Sequence, residues 1–243
     1  MLEALKGYYR AQMVRPGVAG LFINPFYFAR NALHAAIDQL AGEIGGRVLD
    51  VGCGDRPYES LIRATEYVGL ELDTADSRAR GKADAYYDGR RFPFEGGVFD
   101  AVLCNQVLEH VFEPDEFVRE IARVLKPGGR LLLTVPFVWD EHEQPRDYGR
   151  YSSFGVRSLL ERHGFALLRQ QRTAADVRAL FQLVNVYLYK VTVTRSPYLN
   201  LIAAVVLMAP FNLVGAVLAW ITPANPDLYL DNVVLAEKKG PGR

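Results

Sequence analysis

Val48-Leu-Asp-Val-Gly-Cys-Gly54 decides the fold. Val48 to Val51 is an apolar run too short for a helix, and it enters a turn with glycine at 52 and 54. Glycine lets the backbone turn tightly and come close to a ligand, because a Cβ would intrude. Asp50 stands just ahead of the turn. A carboxylate there would repel a pyrophosphate and suits a ligand carrying positive charge. The third glycine of the dinucleotide fingerprint is missing, and Pro57-Tyr58 lies where its helix would begin.

Short apolar runs recur around this one, at 47–51, 67–71, 83–87, 101–104 and 131–135. Before the first, Leu33, Ala36, Ile37, Leu40 and Ile44 follow helical spacing, and Gly45-Gly46 is expected to stop that helix. Between the fourth and fifth, Pro114 suits a first helical turn and Asp115 and Glu116 favour the positive end of its dipole. Phe117, Ile121, Val124 and Leu125 would form the inner face, with Lys126-Pro-Gly-Gly129 as the stop. Repeated strand–helix–strand units predict a doubly wound, mostly parallel α/β sheet. Residues 72–82 leave room for only an abbreviated helix. After a polar loop to Ser153, a helix at 155–163, a strand at 165–169, an apolar helical stretch at 176–222 and a last strand at 228–236 are expected. The domain reading is a helical lead-in (1–45), a core (46–175 and 226–237) and an apolar helical insertion (176–225).

Two further acids strengthen the reading of the turn. Glu71 ends the second run, where an acid in a doubly wound sheet accepts the hydroxyls of a ribose. Asp88 ends the third, before Phe92-Pro-Phe94, and can take the exocyclic amine of an adenine beside an apolar wall. With Phe99-Asp100, Val107-Leu-Glu-His110 and Leu125-Lys-Pro-Gly-Gly129, these motifs stand in the order and spacing of class I S-adenosylmethionine-dependent methyltransferases. The resemblance is to their small-molecule branch, often called type 11, and is close over roughly 46–136. It implies a seven-stranded sheet with an antiparallel last strand and S-adenosyl-L-methionine as cofactor. It places Asp50, Gly52 and Gly54 at the methionine end, Glu71 at the ribose, Asp88 and Gly89 at the adenine, and Asn105 and Gln106 beside the sulfonium.

Composition narrows the partners. Lys+Arg and Asp+Glu are both 28 in 243 residues, so no nucleic-acid partner is expected. Cys53 and Cys104 end apolar runs and read as buried free thiols in a reducing compartment. Cys and His show no metal-ligand spacing, so no metal is expected. Residues 1–10 lack a secretory h-region.

Of four histidines, His34 reads as a plain helix residue and His163 as a helix cap, while His110 is either near the cofactor or a buttress for its loop. His142 is the best acid–base candidate. It follows the fifth strand among Asp140, Glu141 and Glu143, which would raise its basicity. Tyr148 and Arg150 can hold a polar or anionic acceptor; equally, Asp147 and Arg150 can form an ion pair that fixes the loop. The expected reaction is methyl transfer to oxygen of a small-molecule or glycan acceptor, as in cell-envelope sugar biosynthesis. The alternatives are a lipophilic acceptor such as a quinone precursor, or a non-catalytic S-adenosylmethionine-binding scaffold.

Residues 201–221 are long and apolar enough to span a bilayer. One crossing would put the last strand on the wrong side of it. Pro210 and Asn212 therefore predict two short helices, 199–209 and 211–221, folded as a hairpin that caps the site, makes a homodimer or touches a membrane surface. The expected location is the cytoplasm, either free or peripheral at the inner face of the membrane.

Overall fold

The run around Asp50 is a central strand with parallel neighbours on both sides in the computed structural model, which describes residues 2–240. Along the chain lie α1 (Leu2–Val14), α2 (Gly20–Ile23), α3 (Tyr27–Ala41), β1 (Gly45–Val51), β2 (Arg63–Leu72), α4 (Ala75–Arg80), β3 (Ala85–Tyr87) and β4 (Phe99–Asn105). Then come α5 (Pro114–Val124), β5 (Leu125–Pro136), α6 (Ser153–Arg162), β6 (Phe165–Arg172), α7 (Arg178–Thr192), α8 (Pro197–Ala203), α9 (Ala209–Ile221) and β7 (Asp231–Lys238). The described chain divides into two compact units: residues 37–137, 141–171 and 232–240, and residues 2–36, 138–140 and 172–231.

The first unit holds the sheet, in the order β3-β2-β1-β4-β5-β7-β6. β1 to β5 pair in parallel, so the turns that follow them share one edge. Near the start of β7, Thr173 N–H bonds Asp231 O; past its end, Lys239 N–H bonds Gly164 O. The residue numbers run in opposite senses, so β7 is antiparallel to β6, as expected of the last strand. Val48, Leu49 and Val51 are fully buried, because helices cover both faces of the parallel sheet. α5 turns Phe117, Val118, Ile121 and Val124 inward, as its spacing predicts. The short crossover is α4, started by a Thr74–Ser77 capping box and stopped by left-handed Gly81.

Two glycine pairs expected to stop helices lie instead in strands. α3 ends at Ala41, and Gly45-Gly46 opens β1 with a register shift between Gly46 and Arg47. Gly46 has φ +73°, and a Cβ there would sit 2.7 Å from Asp100 Oδ2. Likewise β5 begins at Leu125. Its register on β4 jumps from Phe99↔Leu125 to Ala101↔Arg130, so Lys126–Gly129 is a bulge. α3 also begins earlier than its apolar spacing showed, within the aromatic lead-in.

In the second unit the expected hairpin at 199–221 is absent. α8, a π-helical turn at Ala204–Met208 and α9 form one continuous helix, Pro197–Ile221. The π turn explains why Pro210 does not break it. Ala209 N–H reaches back to Ala204 O, which widens the ladder just ahead of the residue that has no donor. Asn212 is no break either. Its Nδ2 donates to Leu21 O (2.9 Å) and Asn24 O (3.1 Å), and its Oδ1 accepts from Asn185 Nδ2 (2.9 Å). At Gly215 a Cβ would lie 2.9 Å from Phe181 and Phe28, so the backbones pack closely there. The buried face of α9 is thus Ala209, Asn212 and Gly215, while Leu213, Val214, Val217, Trp220 and Ile221 face outward.

Asn212→Leu would strand two carbonyls and the Asn185 amide in a buried place. It is expected to lower the unfolding free energy by about 2–4 kcal/mol, measured by denaturant titration. Adding Asn185→Leu should recover part of that loss, since it removes one of the stranded groups.

Candidate active site

The turn after β1 is fastened to the end of β2. Gly52 N–H bonds Leu70 O (2.8 Å) and Gly54 N–H bonds Glu71 Oε1 (2.6 Å). Gly52 has φ +71°, and a Cβ there would lie 2.3 Å from Val107 Cγ2, so the turn and the loop after β4 meet where only glycine fits. Glu71 Oε2 makes no hydrogen bond among the described residues, which leaves that oxygen for a diol. Asp50 is buried, and Tyr67 O–H donates to its Oδ2 (2.7 Å). Burial raises the Asp50 carboxyl to about 7, against the lowering effect of the Tyr67 bond and of Arg56.

Asp88 and Gly89 follow β3 on the same edge. Asp88 Oδ1 accepts from Arg90 N (2.9 Å) and Arg91 N (3.2 Å), which holds its exposed carboxyl below the usual range. Gly89 has φ +90° beside Leu72. Asn105 and Gln106 end β4 and are tied to β5 through buried Thr134. Thr134 Oγ1 donates to Asn105 Oδ1 (2.9 Å), and Gln106 N–H meets Thr134 O and Oγ1 at 3.1 Å. Gln106 holds φ +53°, a strained value for a side-chain-bearing residue.

A second cluster is built from the loops after β4 and β5. His142 Nδ1 lies 3.3 Å from Asp147 Oδ2, and its own N–H donates to that oxygen (2.9 Å). Of the acids adjacent to it in sequence, Asp140 pairs with Lys190 (3.1 Å), Glu141 accepts from Gln144 Nε2 (3.1 Å), and Glu143 faces His110 Nε2 (3.8 Å). Asp147 is the carboxylate that the loop sets against the His142 ring. It is in turn gripped by Arg150 through both oxygens (2.6 and 2.7 Å), which drives its pKa to about 2. Arg150 thus forms with Asp147 the ion pair that the sequence allowed. Tyr148 is half exposed and packs edge-on to Phe112, with ring centroids 5.3 Å apart.

His110 and His142 meet edge-to-face at 4.8 Å, so the loops bring together two histidines that lie far apart in sequence. His163 caps α6 and binds Asp115 (2.8 Å). Both thiols are free and buried; burial pushes Cys53 up to about 12 and Cys104 well above the usual thiol value. Neither Tyr67 nor Thr134 stood out in the sequence, and Asp147 did so only as a partner for Arg150, not for His142. Each belongs to a type common in strands and loops, and no local spacing marks it.

The methyltransferase-domain family model matches residues 26–182. A ubiquinone biosynthesis O-methyltransferase of Xanthomonas oryzae pv. oryzae is 34% identical over 108 residues, covering 37% of this chain and 43% of that protein. A "probable S-adenosylmethionine-dependent methyltransferase" of Mycolicibacterium smegmatis is 33% identical over 127 residues, 49% of each chain. The chain thus spans about half or less of the length of these relatives. Phosphoethanolamine N-methyltransferase 2 of Haemonchus contortus, solved with S-adenosyl-L-methionine, has a TM-score of 0.55 at 20% identity, covering 95% of this chain and 59% of that one. That likeness is one of fold. Fold and glycine turn are those of class I S-adenosylmethionine-dependent methyltransferases. The chain belongs to the methyltransferase-domain family, whose model spans more than half of it.

The residues present fit that cofactor. The turn at Gly52 has no room for a side chain, and the groups around it are carboxylates and amides suited to an ammonium, a sulfonium and a diol. Because Asp50 titrates near 7, a cationic ligand should bind its ionised form and gain as pH rises through that value. Calorimetric affinity for S-adenosylmethionine is expected to be about tenfold weaker at pH 6 than at pH 8. Asp50→Asn should flatten the dependence; a slope unchanged in that variant would show that another group is responsible.

Proposed function

We propose that the protein transfers a methyl group to a hydroxyl oxygen of a lipophilic small molecule at a membrane surface. The observation that carries the acceptor class is the helix Pro197–Ile221, with mean hydropathy 2.4 and only 28% of its apolar window buried. Its faces are inverted relative to a water-soluble helix. Asn212 and Gly215 point in, and Val206, Val214, Val217 and Trp220 point out, Trp220 being 91% exposed. Small residues and an amide at the packed face, with large apolar residues outside, is how helices are arranged in lipid. Since β6 precedes and β7 follows within one sheet, the helix serves as a surface-seated element and not as a lone crossing. The relatives named for ubiquinone biosynthesis act in a context of the same polarity, which favours this acceptor class over a glycan.

S-adenosylmethionine, when bound, supplies an electrophilic methyl on its sulfonium. Glu71 would orient the ribose through Oε2, and Asp50 would face the cationic end. His142 then has the remaining task of taking the proton from the acceptor hydroxyl. Asp147 beside Nδ1 keeps the proton on that nitrogen and leaves Nε2 as the basic atom.

The acceptor reading is tested by following S-adenosylhomocysteine release over a panel of prenylated catechols, hydroxylated quinols and sugar or sugar-lipid alcohols. Turnover is expected on the prenylated phenols, and His142→Ala should lower it by about 10²–10⁴-fold with cofactor affinity unchanged. Turnover confined to sugars would overturn it. The membrane reading is tested by liposome flotation of the full chain against a variant with Val206, Val214, Val217 and Trp220 changed to Ser. All four are exposed, so the fold should persist while flotation is lost. A wild-type chain that stays soluble, whether monomer or dimer, would overturn the lipid contact.

A further inference from the structure

Glu109, His110 and His142 each offer a ligand atom, and these atoms lie within 4.8 Å of one another. We propose that they form a site for a divalent cation of the zinc class, with open positions for acceptor oxygens. This rests on the O-methyl-transfer reading and changes what activates the hydroxyl: a bound cation in place of a bare imidazole.

The strongest support is what stands behind each ring. His110 Nδ1 lies 2.6 Å from Arg146 O. A carbonyl can only accept, so Nδ1 carries the proton, and in the neutral ring Nε2 presents its lone pair. His142 repeats the arrangement, with Nδ1 3.3 Å from Asp147 Oδ2. A backbone carbonyl behind one ring and a carboxylate behind the other is the outer shell usual for metal-bound histidines, where it fixes tautomer and orientation. Asp147 is itself held by Arg150 through both oxygens, which sets its direction. On the ligand side, Glu109 Oε1 is 3.9 Å and Glu143 Oε2 3.8 Å from His110 Nε2. Glu109 is fully buried beside the His110 ring.

Two imidazoles and one carboxylate match catalytic zinc sites, which keep further positions open. Imidazole donors favour zinc and its transition-metal neighbours over magnesium or calcium. Ligand atoms about 2.1 Å from a shared ion stand roughly 3–3.5 Å apart. The cluster would therefore close by about an ångström on loading. Both loops lie at the edge where Asn105 and Gln106 end β4. There the cation would bind an acceptor hydroxyl and lower its pKa. The O–H proton would leave to solvent, and the oxygen would take the methyl with no change of oxidation state. With two open positions the site would favour acceptors with adjacent oxygens, such as catechols. The sequence hides the cluster because His142 stands 32 residues after His110, well beyond any short ligand spacing.

The full chain, stripped with chelator, is titrated with Zn²⁺ by calorimetry and with Co²⁺ by visible absorption, without acceptor. One equivalent should bind, with the cobalt spectrum of a four- or five-coordinate ion. His110→Ala/His142→Ala should abolish this binding, and Asp147→Asn should weaken it about 10–100-fold. Circular dichroism and S-adenosylmethionine affinity confirm that each variant is folded. Equal binding by the wild type and the double variant would overturn the site. So would the absence of binding; if His142→Ala still lost turnover in that case, the imidazole-base reading would stand without a metal.

Discussion

Two hydrogen bonds donated by backbone N–H groups hold the sheet and the site in one frame: Gly52 N–H to Leu70 O, and Gly54 N–H to the Glu71 carboxylate. The first continues the β1–β2 ladder one residue past the strand, so the chain is still fixed when it turns. The second uses one oxygen of Glu71 as a structural acceptor and leaves the other for a ligand. Only a residue without a Cβ lets Val107 close over this point. The distance between Glu71 and the loop after β4 is therefore fixed by backbone packing, and flexible side chains have little say in it.

The same logic explains why Asp50 can remain buried. In an apolar strand an ionised carboxylate is costly unless something compensates it. Tyr67, at the opposing stretch of β2, donates to one oxygen, and Arg56 contributes from the turn. These are enough to bring the group near neutrality but not enough to keep it ionised at all pH values. A buried acid left half-compensated is a place where an incoming cation does the rest, and it makes the resting protein sensitive to what it binds.

Those parts of the fold were legible whose burial leaves a periodic trace. The parallel strands read as unbroken apolar runs because both faces are covered, and α5 showed its inner face at Phe117, Ile121 and Val124. The acids Asp50 and Glu71 could be placed at adjacent strand ends because strand ends are easily found. What failed were features set by contacts remote in sequence. Gly45-Gly46 and Gly128-Gly129 look like helix stops, yet they are bulges whose shape is dictated by Asp100 and its strand. The partner of His142 was sought among its immediate neighbours, but an irregular loop brings Asp147 back beneath it, and no periodicity reports that return. By its local rule alone, Pro210 breaks a helix. A π turn one step upstream satisfies that rule at the cost of a slightly wider helix.

Asn212 draws these lessons together. In a sequence an amide inside an apolar stretch looks like an interruption, since water-soluble helices put amides outward. Here it is buried and bonded to two carbonyls and to Asn185. A helix whose outward face is Val, Leu, Trp and Ile has no hydrophobic reason to turn one face inward rather than another. Its orientation has to be set by something directional, and hydrogen bonds and the close approach at Gly215 supply it. That choice is sensible only if the outward face meets something apolar. In water, an 18-residue apolar window left mostly uncovered would be a standing liability for aggregation. The polar interior and the apolar exterior of this helix are thus two expressions of one constraint: the amide fixes which side is buried, and the large apolar side chains are left on the other.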